Sequence, residues 1–339
     1  MEKKGIVMLS GGLDSVSATH LLMSQGIDLL ALHFVLPFVS GLGLEHKKIR
    51  YYADALGVKL RIIEEGEEYI QMIKDPRYGF GKNANPCVDC RIHRLQKAKK
   101  IMEQEGASFI ATGEVIGQRP MSQRVDIMSV IEKRAGLEGY LLRPLCAKLL
   151  PPTMAEKTGI VDREKLMEIS GRSRKAQLEY AGKNGLKHTA PAGGCALTNI
   201  GTANRFMELV NHDPGFDLED FKLLAYGRHF RLSKTTKLIV CRNDHENQIF
   251  EKLASKEDYL MDVVGHSGPY GLLRGNDAMM FIELSGGIVA HYSKAKDLPT
   301  TEIRVLHNEE YSTMQTTPVT DSLCASMRIG ERGFEVKSE

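Results

Sequence analysis

The sequence predicts an α/β protein, with a parallel sheet flanked by helices and then a smaller C-terminal α+β domain. Three observations carry that expectation. From Lys4 to about Thr112, short apolar runs alternate with helical stretches, the pattern of successive βαβ units. Glycines close the helical stretches. Beyond about residue 215 the apolar residues fall in short β-type runs separated by glycine and asparagine turns.

The strand-like runs are residues 6–9, 29–34, 60–63 and 109–111, and helices are predicted at 16–24, 44–56 and 91–105, with Gly26, Gly57 and Gly106 as their stops. Arg143 to Pro191 reads as loop, broken by Pro144, Pro151 and Pro152, with helical pieces at 162–169 and 175–183. Strand-type runs follow at 238–240, 279–284 and 303–306, and the tail 330–339 is polar and expected to be loose. This gives two domains, residues 1–200 and 215–330, in a chain of 339 residues. The acidic run Glu64-Glu65-Gly66-Glu67-Glu68 reads as a solvated loop.

Bulk properties narrow the function classes. A net charge of +2 rules out a polycation, so any nucleic-acid surface is a local patch. Met1-Glu2-Lys3-Lys4 runs straight into the first strand, so no signal peptide is expected. The most apolar stretch, 27–39, is interrupted by Asp28, His33 and Pro37 and is too short to span a bilayer. A soluble, cytoplasmic protein without a membrane partner is expected. Six cysteines in such a chain suggest reduced thiols or metal ligands.

In parallel sheets ligands sit beyond the carboxyl ends of the strands. Three segments fall at such ends: Ser10-Gly11-Gly12-Leu13-Asp14-Ser15, the residues after Phe34, and Thr112-Gly113-Glu114. They are expected to converge on one pocket. The first is a strand, glycine turn and helix start, whose backbone N–H groups can cradle phosphate. Ser10 and Ser15 add hydroxyl donors, and Asp14 can hold magnesium beside a triphosphate. No lysine follows the glycines, so this is not the loop of kinases and GTPases. It resembles the PP-loop, S-G-G-x-D-S, of enzymes that split ATP into AMP and pyrophosphate to adenylate a substrate. After the strand at 109–111, Thr112-Gly113-Glu114, Gly117-Gln118 and Pro120-Met121-Ser122-Gln123 offer a glycine for close nucleotide approach. A structural turn would explain them equally well.

Cys87-Val88-Asp89-Cys90 precedes the helix at 91–105, and a helix N-terminus favours thiolate over thiol. A third candidate is Cys195, in Pro191-Ala192-Gly193-Gly194-Cys195. Three thiolates can hold three irons of a [4Fe–4S] cluster and leave the fourth iron open. A zinc site would take His93 or His188 as its fourth ligand. Without metal, Cys87 or Cys90 would exchange a persulfide or disulfide with Cys195. Cys146, Cys241 and Cys324 stand alone and read as packing residues.

Residues 227–242 contain Arg228, Arg231, Lys234, Lys237 and Arg242 and no acidic residue. This is either a phosphate-contacting strip, with Phe230 or His229 for stacking, or a solvated basic face. Gly171-Arg172-Ser173-Arg174-Lys175 forms a second basic cluster.

The ordered set of residues 10–15, Cys87-x-x-Cys90-Arg91, Thr112-Gly113-Glu114-x-x-Gly117-Gln118 and Arg143-Pro144-Leu145 resembles the catalytic domain of tRNA 4-thiouridine synthetases. Asn85-Pro86-Cys87 also resembles the tRNA 2-thiouridylases. The likeness covers residues 4–200 and implies a HUP-type α/β domain that binds ATP, adenylates a uridine carbonyl oxygen and replaces it with sulfur. It implies nucleotide binding by residues 10–15, Thr112, Gly113 and Gln118, with Asp14, Cys87, Cys90 and Cys195 as catalytic residues and Mg2+ as cofactor. The THUMP region typical of 4-thiouridine synthetases is not expected here, nor is a rhodanese loop after residue 200. Related thiolases without rhodanese often carry a three-cysteine cluster, so the resemblance favours a [4Fe–4S] cluster on Cys87, Cys90 and Cys195. Arg242-Asn243-Asp244-His245-Glu246-Asn247 and His266-Ser267-Gly268-Pro269 resemble the NFACT-R RNA-binding module.

The function expected is ATP-dependent tRNA uridine thiolation. Its partners would be tRNA and either sulfide or a cysteine-desulfurase-type sulfur donor, and a homodimer is compatible with the sequence. Two other readings stay open: adenylation of a small-molecule acceptor, and a non-catalytic RNA-binding or sulfur-carrier protein.

Overall fold

A computed structural model describes residues 3–37, 44–189 and 195–330. The chain divides into two compact units, one of residues 1–81 and 85–194, the other of 82–84 and 195–339.

The first unit runs β1 (Lys4–Met8), α1 (Leu13–Met23), β2 (Asp28–Val35), α2 (Leu44–Leu56), β3 (Lys59–Glu64), α3 (Glu67–Lys74), α4 (Cys87–Gln104), β4 (Ile110–Thr112), α5 (Val125–Ala135), β5 (Leu141–Leu142), α6 (Met154–Lys157) and α7 (Lys175–Lys183). The strands form one parallel sheet in the order β3-β2-β1-β4-β5, so the order turns at β1, where both neighbours leave a crevice. Successive residues point to opposite faces. Val7, Leu29, Ala31 and Ala111 enter one core with Val16, Leu22 and Ile49. Ile6, Leu30, Leu32 and Ile110 enter another with Val88, Leu95 and Ile131. Both faces are thus covered, which is why these strands read as unbroken apolar runs. The expected stops Gly26, Gly57 and Gly106 all adopt positive φ.

Two expectations fail in this unit. The acidic run is no solvated loop: Glu65 is 3% exposed, and Glu67 and Glu68 open α3, which buries Tyr69, Ile70 and Ile73. Glu65 accepts from Lys97 Nζ at 2.7 Å and pairs with His93 Nε2 at 2.9 Å, so tertiary partners pull it inward. The helix predicted at 162–169 shrinks to one 3-10 turn, Arg163–Lys165. Met167 and Ile169 instead donate their backbone N–H groups to Pro144 and Leu145.

The second unit contains α8 (Ile200–His212), α9 (Leu218–Leu223), β6 (Arg228–Arg231), β7 (Thr236–Val240), α10 (Asp244–Leu253), β8 (Tyr259–Val263), β9 (Gly271–Gly275), α11 (Ile282–His291), β10 (Thr301–His307), β11 (Glu310–Thr316), α12 (Asp321–Met327) and β12 (Arg328–Ile329). Its antiparallel sheet has the order β11-β10-β8-β9-β7-β6-β12. One core joins Leu238, Met261, Leu273, Ile303 and Val305 to Ile288 and Val289 of α11. The unit starts before the change of texture near 215, because Phe206 of α8 stacks edge-on against Phe216 and Phe221, at 6.1 and 5.8 Å. The run 279–284 is a correction. It is a 3-10 turn, Ala278–Phe281, leading into α11. A short apolar run reads the same for a strand and for a helix. No helix among the described residues is long and apolar enough to cross a membrane.

Candidate functional site

The first site residues occupy the connection from β1 to α1. Ser10 sits beyond the end of β1, and the chain turns through Gly11 at a φ of +75°. Gly12 is the N-cap of α1 and carries no side chain to cap its first turn, which leaves that turn open to an anion. The hydroxyls of Ser10 and Ser15 lie 3.0 Å apart, and Ser15 Oγ donates to the Gly12 carbonyl at 2.9 Å. Leu13 is buried and anchors the turn. Thr189, which carried no signal in the sequence, closes the outer side by donating its N–H to the Gly11 carbonyl at 2.8 Å.

Thr112-Gly113-Glu114 comes to the same place, because Met8 of β1 pairs with Thr112 of β4. A Cβ on Gly113 would stand 2.6 Å from the carbonyl carbon and oxygen of Asp14 and from Ser15 N. Only glycine permits this approach. Gln118 then reaches back, its Nε2 donating to Asp14 Oδ2 at 2.8 Å. Asp14 Oδ1 is buried with no hydrogen-bond partner among the described residues. A buried carboxylate oxygen in that state costs free energy unless a cation or donor meets it. The convergence expected of these two segments is therefore met. Part of the third, residues 38–43 beyond Phe34, lies outside the described residues.

The feature that sequence reasoning missed is the role of Glu114, which is 5% exposed. It accepts from Thr112 Oγ1 at 3.1 Å, pairs with Arg91 of α4, and accepts from Arg143 Nε at 3.2 Å. Arg143, 4% exposed, also reaches Glu132 Oε2 at 2.9 Å. One carboxylate thus ties together three motifs that are separate in the sequence. The available signal was a set of charged residues flanking apolar strand ends, where an ion is tolerated only if paired.

Cys87 and Cys90 lie in the first turn of α4, half-buried, with Asn85 Nδ2 donating to Cys87 Sγ at 3.1 Å. Arg91 follows them directly. Burial and the charge of Arg119 lower its guanidinium to about 10, while Cys87 and Cys90 act in the opposite sense. Asp89 is turned inward and accepts from Tyr78 N at 3.0 Å. Cys195 belongs to the second unit, half-buried, and its Sγ accepts from Leu197 N at 3.4 Å. The Pro191–Gly194 setting of that cysteine lies outside the described residues. Among the described residues no three His, Cys, Asp or Glu side chains are gathered as a metal site. Both histidines considered for zinc are engaged, His93 with Glu65 and His188 Nδ1 with the Thr189 carbonyl at 2.9 Å. Cys146, Cys241 and Cys324 are buried, as packing residues should be.

The basic strip at 227–242 is corrected in part. Arg231 and Lys237 face each other across the β6–β7 pair and both meet the buried Glu208. Phe230 and His229 are 0% and 1% exposed, so neither is a stacking platform. Arg228 and Arg242 keep company with other cations. Arg172 and Arg174 lie in the turn leading into α7.

The geometry can be set beside known proteins. Residues 1–165 match the family model described as thiamine biosynthesis protein (ThiI), and residues 227–326 match NFACT-R_2, described as NFACT protein RNA binding domain. The chain is 33% identical over 121 residues to the tRNA-specific 2-thiouridylase MnmA of Sulfurimonas denitrificans, covering 34% of this chain and 36% of that protein. It is 29% identical over 171 residues to a probable tRNA sulfurtransferase of Methanobrevibacter smithii, covering 48% and 43%. The chain therefore spans about two-fifths of the length of such relatives. Among solved structures, the U34-tRNA thiolase NcsA of Methanococcus maripaludis with its [4Fe-4S] cluster is similar at 18% identity, covering 66% of this chain and 69% of that one, with a TM-score of 0.31. That likeness is too slight to add to the fold described above. In its motifs and its matched domains alike, the chain resembles the PP-loop tRNA thiolation enzymes, with a C-terminal region of NFACT-R type.

Proposed function

We propose that the protein is an ATP-dependent tRNA sulfurtransferase acting on uridine. The observation that carries this reading is the seating of Gly113 on the Asp14–Ser15 backbone beside a buried, unpartnered Asp14 oxygen. ATP would lay its phosphates on residues 10–15, where α1 begins without a side-chain cap. The unpartnered oxygen of Asp14 suits Mg2+, a hard cation that takes oxygen ligands and offsets phosphate charge.

A uridine carbonyl oxygen attacks the α-phosphorus, the bond to the β-phosphate breaks, and pyrophosphate leaves. The base is now an O-adenylate. Sulfide, as HS⁻, attacks its carbon, the carbon–oxygen bond breaks, AMP departs with the oxygen, and the S–H proton passes to the ring nitrogen that lost its own on adenylation, so the exchange needs no oxidant or reductant. Gln118 orients Asp14 through its 2.8 Å hydrogen bond. Glu114 and Arg143 hold the Thr112 segment, and Arg91 ties the start of α4 to it. The thiol pair Cys87 and Cys90 suits a sulfur-handling role because both are only half-buried and lie in a first helical turn. With Cys195, they are the residues that would hold a [4Fe–4S] cluster, which supplies a bound sulfide when present.

Cys195→Ser separates the two halves of the reaction. The variant is expected to release AMP from ATP in the presence of tRNA at the wild-type rate while forming no thiolated nucleoside. Equal thiolation by the variant and the wild type would remove Cys195 from sulfur transfer. Loss of both half-reactions with the fold retained would assign it a role in ATP or tRNA binding instead.

A further inference from the structure

The antiparallel sheet of the second unit ends in two different edges. On one side β12 has only two residues, Arg328–Ile329. On the other, β11 runs for seven residues, Glu310–Thr316, pairs with β10 without a bulge, and contains no lysine, arginine or proline. The edges of the parallel sheet are blunted too, since β5 has two residues and β3 carries Lys59 and Arg61. Short strands, cations, proline and bulges are the usual ways to keep a sheet edge from pairing with another chain. β11 uses none of them, although Tyr311 is 69% exposed and Ser312, Thr313 and Gln315 are exposed with it.

Which backbone groups β11 offers follows from its turn. Asn308 and Glu309 take φ values of +50° and +68°, as the two central residues of a type I′ hairpin loop require. Such a loop closes on a hydrogen-bonded pair, here His307 with Glu310. Hydrogen-bonded and open pairs alternate from there. Glu310, Ser312, Met314 and Thr316 therefore bond to β10, and Tyr311, Thr313 and Gln315 turn their N–H and carbonyl groups outward. The neighbouring strand agrees with this phase. Glu302, which faces Gln315 in an open pair, accepts from Val264 N–H at 2.9 Å on its other side. Among the described residues, no backbone carbonyl from another segment meets the three outward N–H groups.

We propose that β11 pairs antiparallel with β11 of a second copy of this chain, about a two-fold axis through Thr313. This register uses all three outward residues. Tyr311 faces the partner's Gln315, Thr313 faces the partner's Thr313, and Gln315 faces the partner's Tyr311. Each such pair exchanges two hydrogen bonds, and threonine against threonine is a stabilising cross-strand pair. A two-fold contact requires the strand to complement itself, and its charges do. Glu310, the one charged residue of β11, falls opposite the partner's Thr316, and Glu309 of the turn falls opposite the partner's Thr317. Arg304, which faces Thr313 on β10, is held by Asp262 at 2.9 Å and lies by the Tyr311 ring. No charge meets its like. A foreign strand would need no such match, so the self-complementary edge points to a second copy.

The test is the mass of the full chain in solution, by light scattering over a series of protein concentrations without nucleotide or RNA. Wild-type protein is expected to rise to twice the 37.7 kDa of one chain. Thr313→Lys and Thr313→Glu each set like charges across the axis, on Cα atoms about 5.5 Å apart, where like charges directly opposite destabilise a sheet. Each variant alone is expected to stay at the mass of one chain. Mixed in equal amounts, the two are expected to form the double-mass species again, because Thr313 facing Thr313 places the lysine against the glutamate. Wild-type protein of single-chain mass at every concentration overturns the proposal. So do variants that reach double mass by themselves, and so does a mixture that stays single.

Thr313 is exposed and its backbone groups point outward, so neither substitution breaks a hydrogen bond within one chain. Circular dichroism checks that both variants fold. Should either fail to fold, hydrogen exchange of the wild type decides. Amides of Glu310, Ser312, Met314 and Thr316 are expected to be protected at every concentration, and those of Tyr311, Thr313 and Gln315 only where the mass is doubled. Outward amides that exchange freely in the double-mass species overturn this edge as the interface. The interface and the enzyme reading fail separately. A dimer of this kind that forms no thiolated nucleoside keeps the interface and removes the enzyme, and a thiolating chain that stays single removes the interface alone.

Discussion

Asp14→Ala is expected to abolish AMP release from ATP while leaving the chain folded. The side chain sits at the start of α1 with one oxygen accepting from Gln118 and the other buried without a partner. Removing it loses one charge-assisted hydrogen bond, a contribution of about 1.5–3 kcal/mol. It also removes the cost of an unmet buried oxygen, so the two changes oppose each other and net stability moves little. The effect on chemistry has no such offset. A group aimed at charge that develops in the reaction contributes roughly 10²- to 10³-fold in rate, and Asp14 would also hold the cation. AMP release followed by ion-exchange chromatography, beside a thermal melt of the same sample, checks both halves. Wild-type AMP release by the variant would remove the phosphate-binding assignment of residues 10–15.

Glu114→Ala is the substitution expected to cost the most stability. The carboxylate is buried and meets Thr112, Arg91 and Arg143, and Arg143 is itself buried with Glu132 as its other acidic partner. Deleting one member of a buried ion network leaves the others desolvated and unmatched, at a cost of about 3–5 kcal/mol. Glu114→Gln keeps the shape and an acceptor oxygen, so it should lose less than Glu114→Ala. Because the same carboxylate positions the Thr112 segment and the start of α4, AMP release should fall in both variants. Urea unfolding midpoints for the two variants and wild type measure the stability. A change below about 0.5 kcal/mol, the level of an ordinary surface substitution, would show that Glu114 is not what joins the motifs.

The parallel sheet of the first unit was legible because its strands are covered on both faces and its helices end at glycine. Those are local signals, and they placed residues 10–15 and Thr112 at the carboxyl edge. Glu65 and Glu114 were not legible in the same way. A glutamate in a polar run looks solvated until its partners, His93 and Lys97 or Arg91 and Arg143, are brought from distant segments. Residues 279–284 misled for a different reason, since so short an apolar run shows no period and Met279 and Met280, though apolar, are exposed. In the basic strip the sequence shows charges without their partners. Glu208, some twenty residues upstream, takes Arg231 and Lys237, and the cations that join Arg228 and Arg242 come from Arg205 and Arg328 at the two ends of the unit.

The most direct measurement is an anaerobic incubation of the full chain, after reconstitution with iron and sulfide, with Mg-ATP, sulfide and unmodified tRNA. Digestion of the tRNA, chromatography and mass detection of its nucleosides would follow. A thiolated uridine, formed only with ATP and accompanied by AMP, is the expected result. AMP without a thiolated nucleoside would contradict the account and point to another acceptor, and neither product would leave an RNA-binding or sulfur-carrying protein in place of the enzyme.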